Sequence, residues 1–394
     1  MQVSAVHVSI VKLPFRFAFG HALASRSFSE NVIVRLHLRD EATGLTALGL
    51  GESVPRQYVT GERAEEAAQY VREVLAPLVV GRSFLDADSI LAFLKELFAE
   101  QGLESRKLGA SFCAFELALL DALARLQKQS MAQFICRRLA ANSLFRGERQ
   151  DAFFRYGGVV PFGKKQTLAA LLAFYKLYGF RTVKLKVGKS DEDDLAKVKL
   201  AREVLGFQTT LRLDANCAWS LPQAEKMMEV LRPYNPASIE QPLPADALAE
   251  LAILQSRIKE TIIVDESLTT LESAYRLIET KACRGFNIRI SKVGGIIAAV
   301  RLTELALANQ MEAHLGAQVG ESGILASAQK HLALSASPET FANVEGAMNL
   351  FLLRRDLTRE CQTVPFGAVV SLKPEPLDGL GVSLKDSRQL RTEL

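Results

Sequence analysis

Carboxylates and amines recur at the ends of successive short apolar runs: Lys184 and Lys186, then Asp214 and Asn216, then Glu240, then Asp265 and Glu266, with Arg289 on a further run. Residues two apart share one face of a strand, so Lys184 projects with Lys186, and Asp214 with Asn216. Asp214, Glu240 and Asp265 brought together repel one another and lose hydration, a cost that a cation offsets. Oxygen-only ligation suits a hard ion such as Mg²⁺, which keeps positions open for water or substrate oxygens. The histidines (His7, His21, His37, His314 and His331) form no HxH or HExxH pair, which argues against zinc. A bound dication can hold a substrate carboxylate and stabilise the charge that develops when the adjacent carbon loses its proton. Lys186, next to that ion, could give up its own proton and act as the base.

Taken singly, these residues have ordinary explanations. An Asp at a strand end commonly caps the following helix, and a lone Lys is commonly solvated. Such explanations do not produce the ordered set Lys-x-Lys, Asp-x-Asn, Glu-Gln-Pro, Asp-Glu-Ser at four consecutive strand ends.

The elements that must position this set follow from patterning. Residues 1–60 alternate Val, Ile and Leu with polar residues in three strand-like runs, VSAVHVSIVKL, ENVIVRLHLRD and LTALGLGES. From Thr60 the rhythm is helical, as in LGASFCAFELALLDALARLQKQ, so residues 1–150 read as an α+β capping domain. From 151 to 360, apolar runs alternate with amphipathic helical stretches: YGGVV, TVKLKVG, TLRLDAN, SIEQPL, TIIVDES, GFNIRIS, AHLGAQV and FANVEG. Their near-continuous apolarity suits parallel strands buried on both faces, so the α/β pattern predicts a TIM-type barrel. In such a barrel the C-terminal strand ends converge on one face, which gathers the polar set. Residues 361–394 return to strand and turn language and are expected to pack back on the capping domain. An open doubly wound sheet lacks support, because no GxGxxG or P-loop marks a nucleotide crevice.

Bulk properties exclude other classes. The 394 residues carry a net charge of only +4 and no long basic run, which leaves no footprint for nucleic acid. No stretch approaches a membrane span, the start lacks a signal-peptide core, and the five cysteines are scattered without a CxxC pair. A cytoplasmic enzyme with a small-molecule carboxylate substrate is the expectation.

The ordered motifs KLK (184–186), LDAN (213–216), IEQPL (239–243), VDES (264–267), NIRISKVGG (287–295) and GESGI (320–324) resemble the enolase superfamily. The resemblance is to its muconate-lactonizing-enzyme-like branch, within the mandelate racemase/muconate lactonizing enzyme family. It implies a modified (β/α)7β-barrel with an N-terminal α+β capping domain, and a homo-oligomer. It further implies one Mg²⁺ held by Asp214, Glu240 and Asp265, Lys186 as acid/base, and Lys184 as its electrostatic support.

One departure stands out. In that branch a second catalytic lysine sits on strand six, across the substrate carbon, and alignment on the Gly-Gly puts Arg289 there. Arginine stays protonated, so it accepts protons poorly but can pair with a carboxylate or an enolate oxygen. One-base cycloisomerisation or β-elimination is the leading expectation. The alternative is a racemase or epimerase of an amino-acid derivative or dipeptide, using Lys186 with Lys292 or His314; a buried core histidine is the plainer reading of His314. Arg289 also keeps a non-catalytic barrel in view. Substrate contacts are expected from Asn216 and Glu266, from the cap loop 17–26 with His21 and Arg26, from Arg56 and Tyr58, and from Gln318 and Glu321. At strand eight, Asn343 and Glu345 stand where many dipeptide epimerases show Asp-x-Asp.

Overall fold

The computed structural model of the chain describes residues 1–21, 24–100, 102, 108–140, 145, 153–347, 349–360, 362–371 and 378–385, and their side chains except those of 21, 24, 25 and 350. An antiparallel sheet comes first, with β1 (Gln2–His21), β2 (Ala24–Arg39) and β3 (Thr46–Ser53) in that order. Period-two alternation on β2 buries Val32, Val34, Leu36 and Leu38 completely. Two helices follow, α1 (Ala87–Glu100) and α2 (Gly109–Leu126). α2 is buried from Gly109 through Ala124 and lies against β2 and β3. Gly51 permits that approach, because a Cβ there would stand 1.8 Å from the Ala114 carbonyl oxygen.

Of the stretch 17–26, the described residues continue β1 and β2, with Phe19 paired to Arg26 and Gly20 to Ser25. The register shifts between Pro14 and Phe19. The His21 side chain lies outside the described residues.

β4 (Phe153–Arg155) leads into the barrel, whose first half is β5 (Gly158–Val160), α3 (Lys165–Tyr178), β6 (Thr182–Lys186), α4 (Asp191–Leu205), β7 (Thr210–Asp214), α5 (Leu221–Leu231) and β8 (Ser238–Glu240). The second half is α6 (Leu248–Arg257), β9 (Thr261–Val264), α7 (Leu271–Glu279), β10 (Gly285–Ile288), α8 (Ile296–Ala308), β11 (Glu312–Leu315), α9 (Gly323–Ser335) and β12 (Phe341–Val344). Strands β5 to β12 form one parallel sheet in chain order. Tyr156 pairs in parallel with Val344, and Gly157 N donates to Val344 O at 2.8 Å, closing the ring. The fold is therefore the expected α/β (β/α)7β-barrel with an N-terminal α+β cap.

The strands are shorter than their apolar runs. β9 stops at Val264 and β10 at Ile288, so Asp265 and Arg289 stand just past the strand ends. After β7 and β8 the chain turns through left-handed backbone at Asn216 (φ 45), Cys217 (φ 63) and Gln241 (φ 36), conformations that cost energy in non-glycine residues and cluster at functional sites. After β10, Ile290–Val293 forms one helical turn ended by Gly294 at φ 102.

β13 (Val369–Ser371) pairs antiparallel with β4. Further on, the chain reaches α2, where Leu380 N donates to Asp121 Oδ1 at 2.7 Å and Arg125 Nη2 to Val382 O at 2.8 Å. Cys113, Cys136, Cys217 and Cys283 are free thiols, and Cys361 lies outside the described residues. No helix among the described residues is long and apolar enough to cross a membrane.

Candidate active site

Lys186, Asp214 and Glu240 stand in register across β6, β7 and β8, so their side chains leave the barrel wall at one level. Lys184 and Arg212 pair one level below. Period two sends all five inward, while Val183, Leu185, Leu211 and Leu213 are fully buried on the opposite face, toward the helices.

Lys186 Nζ donates to Asp214 Oδ2 at 2.6 Å and to Asn216 Oδ1 at 2.7 Å. Asn216 Nδ2 in turn donates to Glu266 Oε1 at 3.0 Å. Lys184 Nζ lies 3.1 Å from Glu240 Oε2, 2.8 Å from Glu345 Oε2 and 3.3 Å from Asp214 Oδ2. Arg212 bridges Glu240 Oε2 at 2.9 Å and Glu345 Oε1 at 3.0 Å. Arg289 bonds Asp265 Oδ2 through Nη2 and donates to Gln318 Oε1 through Nη1 at 2.8 Å. These charges are buried, so pairing is what makes them tolerable.

Charge state follows from the pairing. Burial opposes the charge on Asp214 and Asp265, yet Lys186 and Lys184 hold the first well below the usual carboxylate range, and Arg289 and Lys292 hold the second below it. Burial also opposes the charge on Lys184, but Glu240, Glu345 and Asp214 together raise its affinity for its proton. Burial, with Asp214 alongside, pushes the Glu240 carboxyl up.

The pocket above this level holds about 130 Å³ and is lined by Lys184, Lys186, Asn216, Glu266 and Arg289 from the barrel. Arg26, Arg56 and Tyr58 come from the cap, with Gln318 and Glu321 after β11, Glu345 after β12, and an apolar rim that includes Phe17, Phe19 and Phe351. Arg26 lies over the Tyr58 ring at 5.8 Å, and its Nε is buried with no partner. Arg56 lines the pocket with its guanidinium already engaged. Its guanidinium donates to Pro55 O, Ser29 Oγ and Val319 O, each at 2.9 Å, and so ties the cap to the barrel. Glu321 accepts from Gln318 N at 2.7 Å, and burial pushes its carboxyl up to about 8. Glu345 reaches the pocket already engaged by Lys184 and Arg212, and Asn343 Nδ2 lies 3.4 Å from it.

Two residues expected to supply the second base lie elsewhere. Lys292 rides on the helical turn after β10 and is 1% exposed. Its Nζ donates to Asp265 O and Oδ1, both at 2.7 Å, and to Asn287 O at 2.9 Å. The strand does end early, but the turn carries this amine beneath Asp265 and away from the pocket lining. His314 is buried in β11, with Nε2 2.8 Å from Glu312 Oε2 near the strand start, the barrel end opposite the pocket. Burial, with Arg212 nearby, pushes its imidazole down to about 4.

Among the described residues, no three His, Cys, Asp or Glu side chains form a ready-made metal cluster. Asp214, Glu240 and Asp265 each face a cationic side chain instead. The donor chemistry nevertheless suits a hard dication. All three carboxylates are fully buried at the ends of adjacent strands, and Glu266 Oε2 beside them is buried without a partner.

Several participants were missed in the sequence. Arg212 and Asn287 stand two residues before Asp214 and Arg289, so period two already put them on the inward face. Asn287 Nδ2 donates to Glu240 Oε1 at 2.7 Å. Gln241 Oε1 accepts from Asp265 N at 3.0 Å and fixes the strand end that carries Asp265. Lys197, on α4, carried no signal because helix lysines are ordinarily solvated.

Comparison with known proteins bears on this arrangement. Residues 2–136 match the family model described as mandelate racemase / muconate lactonizing enzyme, N-terminal domain, and residues 166–388 match enolase C-terminal domain-like. A D-Ala-D/L-Ala epimerase of Cytophaga hutchinsonii is 30% identical over 82% of this chain and 80% of its own. An N-succinyl-L-Arg/Lys racemase of Bacillus cereus is 25% identical over 98% of this chain and 96% of its own. A crystal structure of the dipeptide epimerase from Cytophaga hutchinsonii, complexed with Mg and the dipeptide D-Ala-L-Val, superposes with a TM-score of 0.81 at 26% identity, covering 98% of this chain and 96% of that one.

Proposed function

Because this chain belongs to the mandelate racemase/muconate lactonizing enzyme family of the enolase superfamily, we propose that it is a Mg²⁺-dependent isomerase that removes and returns the α-proton of an N-acylated amino acid or dipeptide-like carboxylate. The two relatives named above are an epimerase and a racemase of such compounds, which favours this outcome. A Bacillus subtilis relative named o-succinylbenzoate synthase, 26% identical over 86% of this chain, keeps a second reading in view. The observation that carries the reading is the pocket-facing amine of Lys186, 2.6 Å from Asp214.

In this reading Asp214, Glu240 and Asp265 hold Mg²⁺, which supplies positive charge to a substrate carboxylate as enolate character develops. Lys186, acting as a free amine, takes the α-proton, oriented by Asp214 and Asn216. Solvent water delivers a proton to the opposite face, because neither Lys292 nor His314 lines the pocket. Lys184 stays protonated among Glu240, Glu345 and Asp214 and offsets part of their negative charge at the pocket floor. Arg289 lines the pocket as a permanently charged guanidinium. Glu345 is already paired, so the end of β12 offers little to a free ammonium, and this favours an acylated α-nitrogen. Arg26 and the aromatic rim suit an acyl or second-residue group that is polar at its tip.

Arg289 favours a second reading. With Lys292 and His314 directed elsewhere, a single side-chain base fits one-face chemistry, and so cycloisomerisation or β-elimination. Incubating N-acyl amino acids and dipeptides with enzyme and Mg²⁺ in D₂O separates the two. Isomerisation gives deuterium at the α-carbon with inverted configuration. One-face chemistry gives exchange with retention, or a cyclised or dehydrated product. If no acid of either class exchanges its α-hydrogen, or if Lys186→Ala leaves exchange intact, the reading fails.

A further inference from the structure

Arg289 is held at two points of unequal character. Its Nη2 arm bonds Asp265 and stands 4.0 Å from Glu240 Oε1, so it reaches between two of the three carboxylates assigned above to the metal. Its Nη1 arm donates to Gln318 Oε1 at 2.8 Å on the pocket wall. The Nε between them is buried and has no partner among the described residues, and the same holds for Gln318 Nε2 and Glu266 Oε2. The other cations are more firmly fixed. Lys292 makes three hydrogen bonds to Asp265 and Asn287, and Lys184 touches three carboxylates. Lys186 also has a carboxylate partner and a pocket-lining anchor, Asp214 and Asn216. Arg289 is the cation that combines an anchor on the pocket wall with contacts to Asp265 and Glu240.

We propose that Arg289 and the divalent cation compete for Asp265 and Glu240, so that Arg289 sets the metal affinity of the site and is the side chain displaced when the metal binds. The inference rests on the metal assignment given above. Mg²⁺ requires oxygen ligands at about 2.0–2.1 Å in near-octahedral geometry. A guanidinium on the same carboxylate oxygens repels it at a few ångströms in a low-dielectric site. A guanidinium is a weakly hydrated monocation, whereas the metal brings two charges, so the exchange is favourable but costs the Asp265–Arg289 pair. Once withdrawn to Gln318, the guanidinium faces the pocket, where an anionic group can meet it. Any such anion therefore tightens the metal by the same factor as the metal tightens the anion.

Titration calorimetry of MgCl₂ into the full-length wild type, Arg289→Gln and Arg289→Lys tests this, with thermal melts to verify folding. Arg289→Gln is expected to bind Mg²⁺ about tenfold or more tightly than wild type. Arg289→Lys should also bind more tightly, because lysine keeps the charge but cannot bond Asp265 and Gln318 at once. Equal or weaker binding by Arg289→Gln overturns the proposal. So does an Arg289→Lys that matches wild type while Arg289→Gln tightens, since that pattern is a charge effect without occupancy. If Arg289→Gln does not fold, Arg289→Lys decides the matter by the same comparison with wild type. If wild type and both variants ignore millimolar Mg²⁺, the metal assignment itself falls, an outcome distinct from unequal binding.

Discussion

The ammonium of Lys197 donates to the main-chain carbonyl of Lys186 at 2.6 Å, reaching from α4 to the end of β6. The same Nζ donates to Pro161 O at 3.0 Å and lies 4.9 Å from the centre of the Phe162 ring. One buried amine thus joins the ends of β5 and β6, and the backbone it holds carries the proposed base.

Lys197→Met should preserve the fold and slow the chemistry. Methionine keeps the apolar stem and loses the two hydrogen bonds, so β6 can relax by a fraction of an ångström at Lys186. A misplacement of about 1 Å costs on the order of 10²-fold, so a loss of roughly 10–100-fold in kcat is expected, with KM within about twofold. Steady-state kinetics on whichever acid exchanges its α-hydrogen reads the split. A change confined to KM would show that Lys197 acts on binding instead.

Lys292→Met addresses the amine beneath Asp265. Removing one partner of a buried pair typically costs about 3–5 kcal/mol when the remaining charge is left uncompensated. Asp265 keeps Arg289, which puts the cost at the lower end, about 3 kcal/mol. A urea-unfolding loss of about that size is expected, together with lost activity in both exchange directions. A stable variant that loses only one direction would instead make Lys292 the second base, and its position under Asp265 would then need to change during turnover.

How far the sequence could be read depended on the kind of signal each residue carried. Alternation and run length are local, so the barrel, the cap sheet and the inward faces of Lys184, Lys186, Asp214 and Glu240 were legible. The depth of Lys292 was not, because it depends on where β10 stops, and a helical turn replaces the strand at Ile290. Arg56 does reach the pocket wall, but its role in tying cap to barrel was not legible, because its partners, Ser29 and Val319, are distant in sequence. Arg212 was within reach by period two, yet its role depends on Glu345, which is 133 residues away. Local pattern gives the direction of a side chain, and only packing gives its partner.

Gly51→Val should damage the cap without touching the pocket. The Gly51 Cα faces α2 so closely that a Cβ would stand 1.8 Å from Ala114 O and 2.7 Å from Ala118 N, both rigid helix backbone. Overpacking of this kind commonly costs 1–3 kcal/mol and more when backbone must move, so a loss of about 3 kcal/mol or more is expected in urea unfolding. Near wild-type stability would mean that α2 can slide on the sheet, against its complete burial.

Glu116 links the cap to the barrel and should make their joint stability depend on pH. Its two carboxylate oxygens accept from Ile296 N and Ile297 N, each at 2.8 Å, at the start of α8. Burial pushes its carboxyl up to about 8, against an ordinary value of 4.5 that applies once the chain unfolds. Between those values the folded state binds more protons than the unfolded one, so stability falls as pH rises. The contribution is whole below the unfolded value and is lost as pH rises through about 8. Glu116→Gln has no such titration, and subtracting its unfolding free energy from that of wild type cancels the other groups. That difference should shrink steadily from about pH 5 to about pH 8.5, as read from urea unfolding across a pH series. A difference that grows over this range would mean that the two amide donors keep the folded carboxylate ionised, and the direction assigned to Glu116 would be wrong.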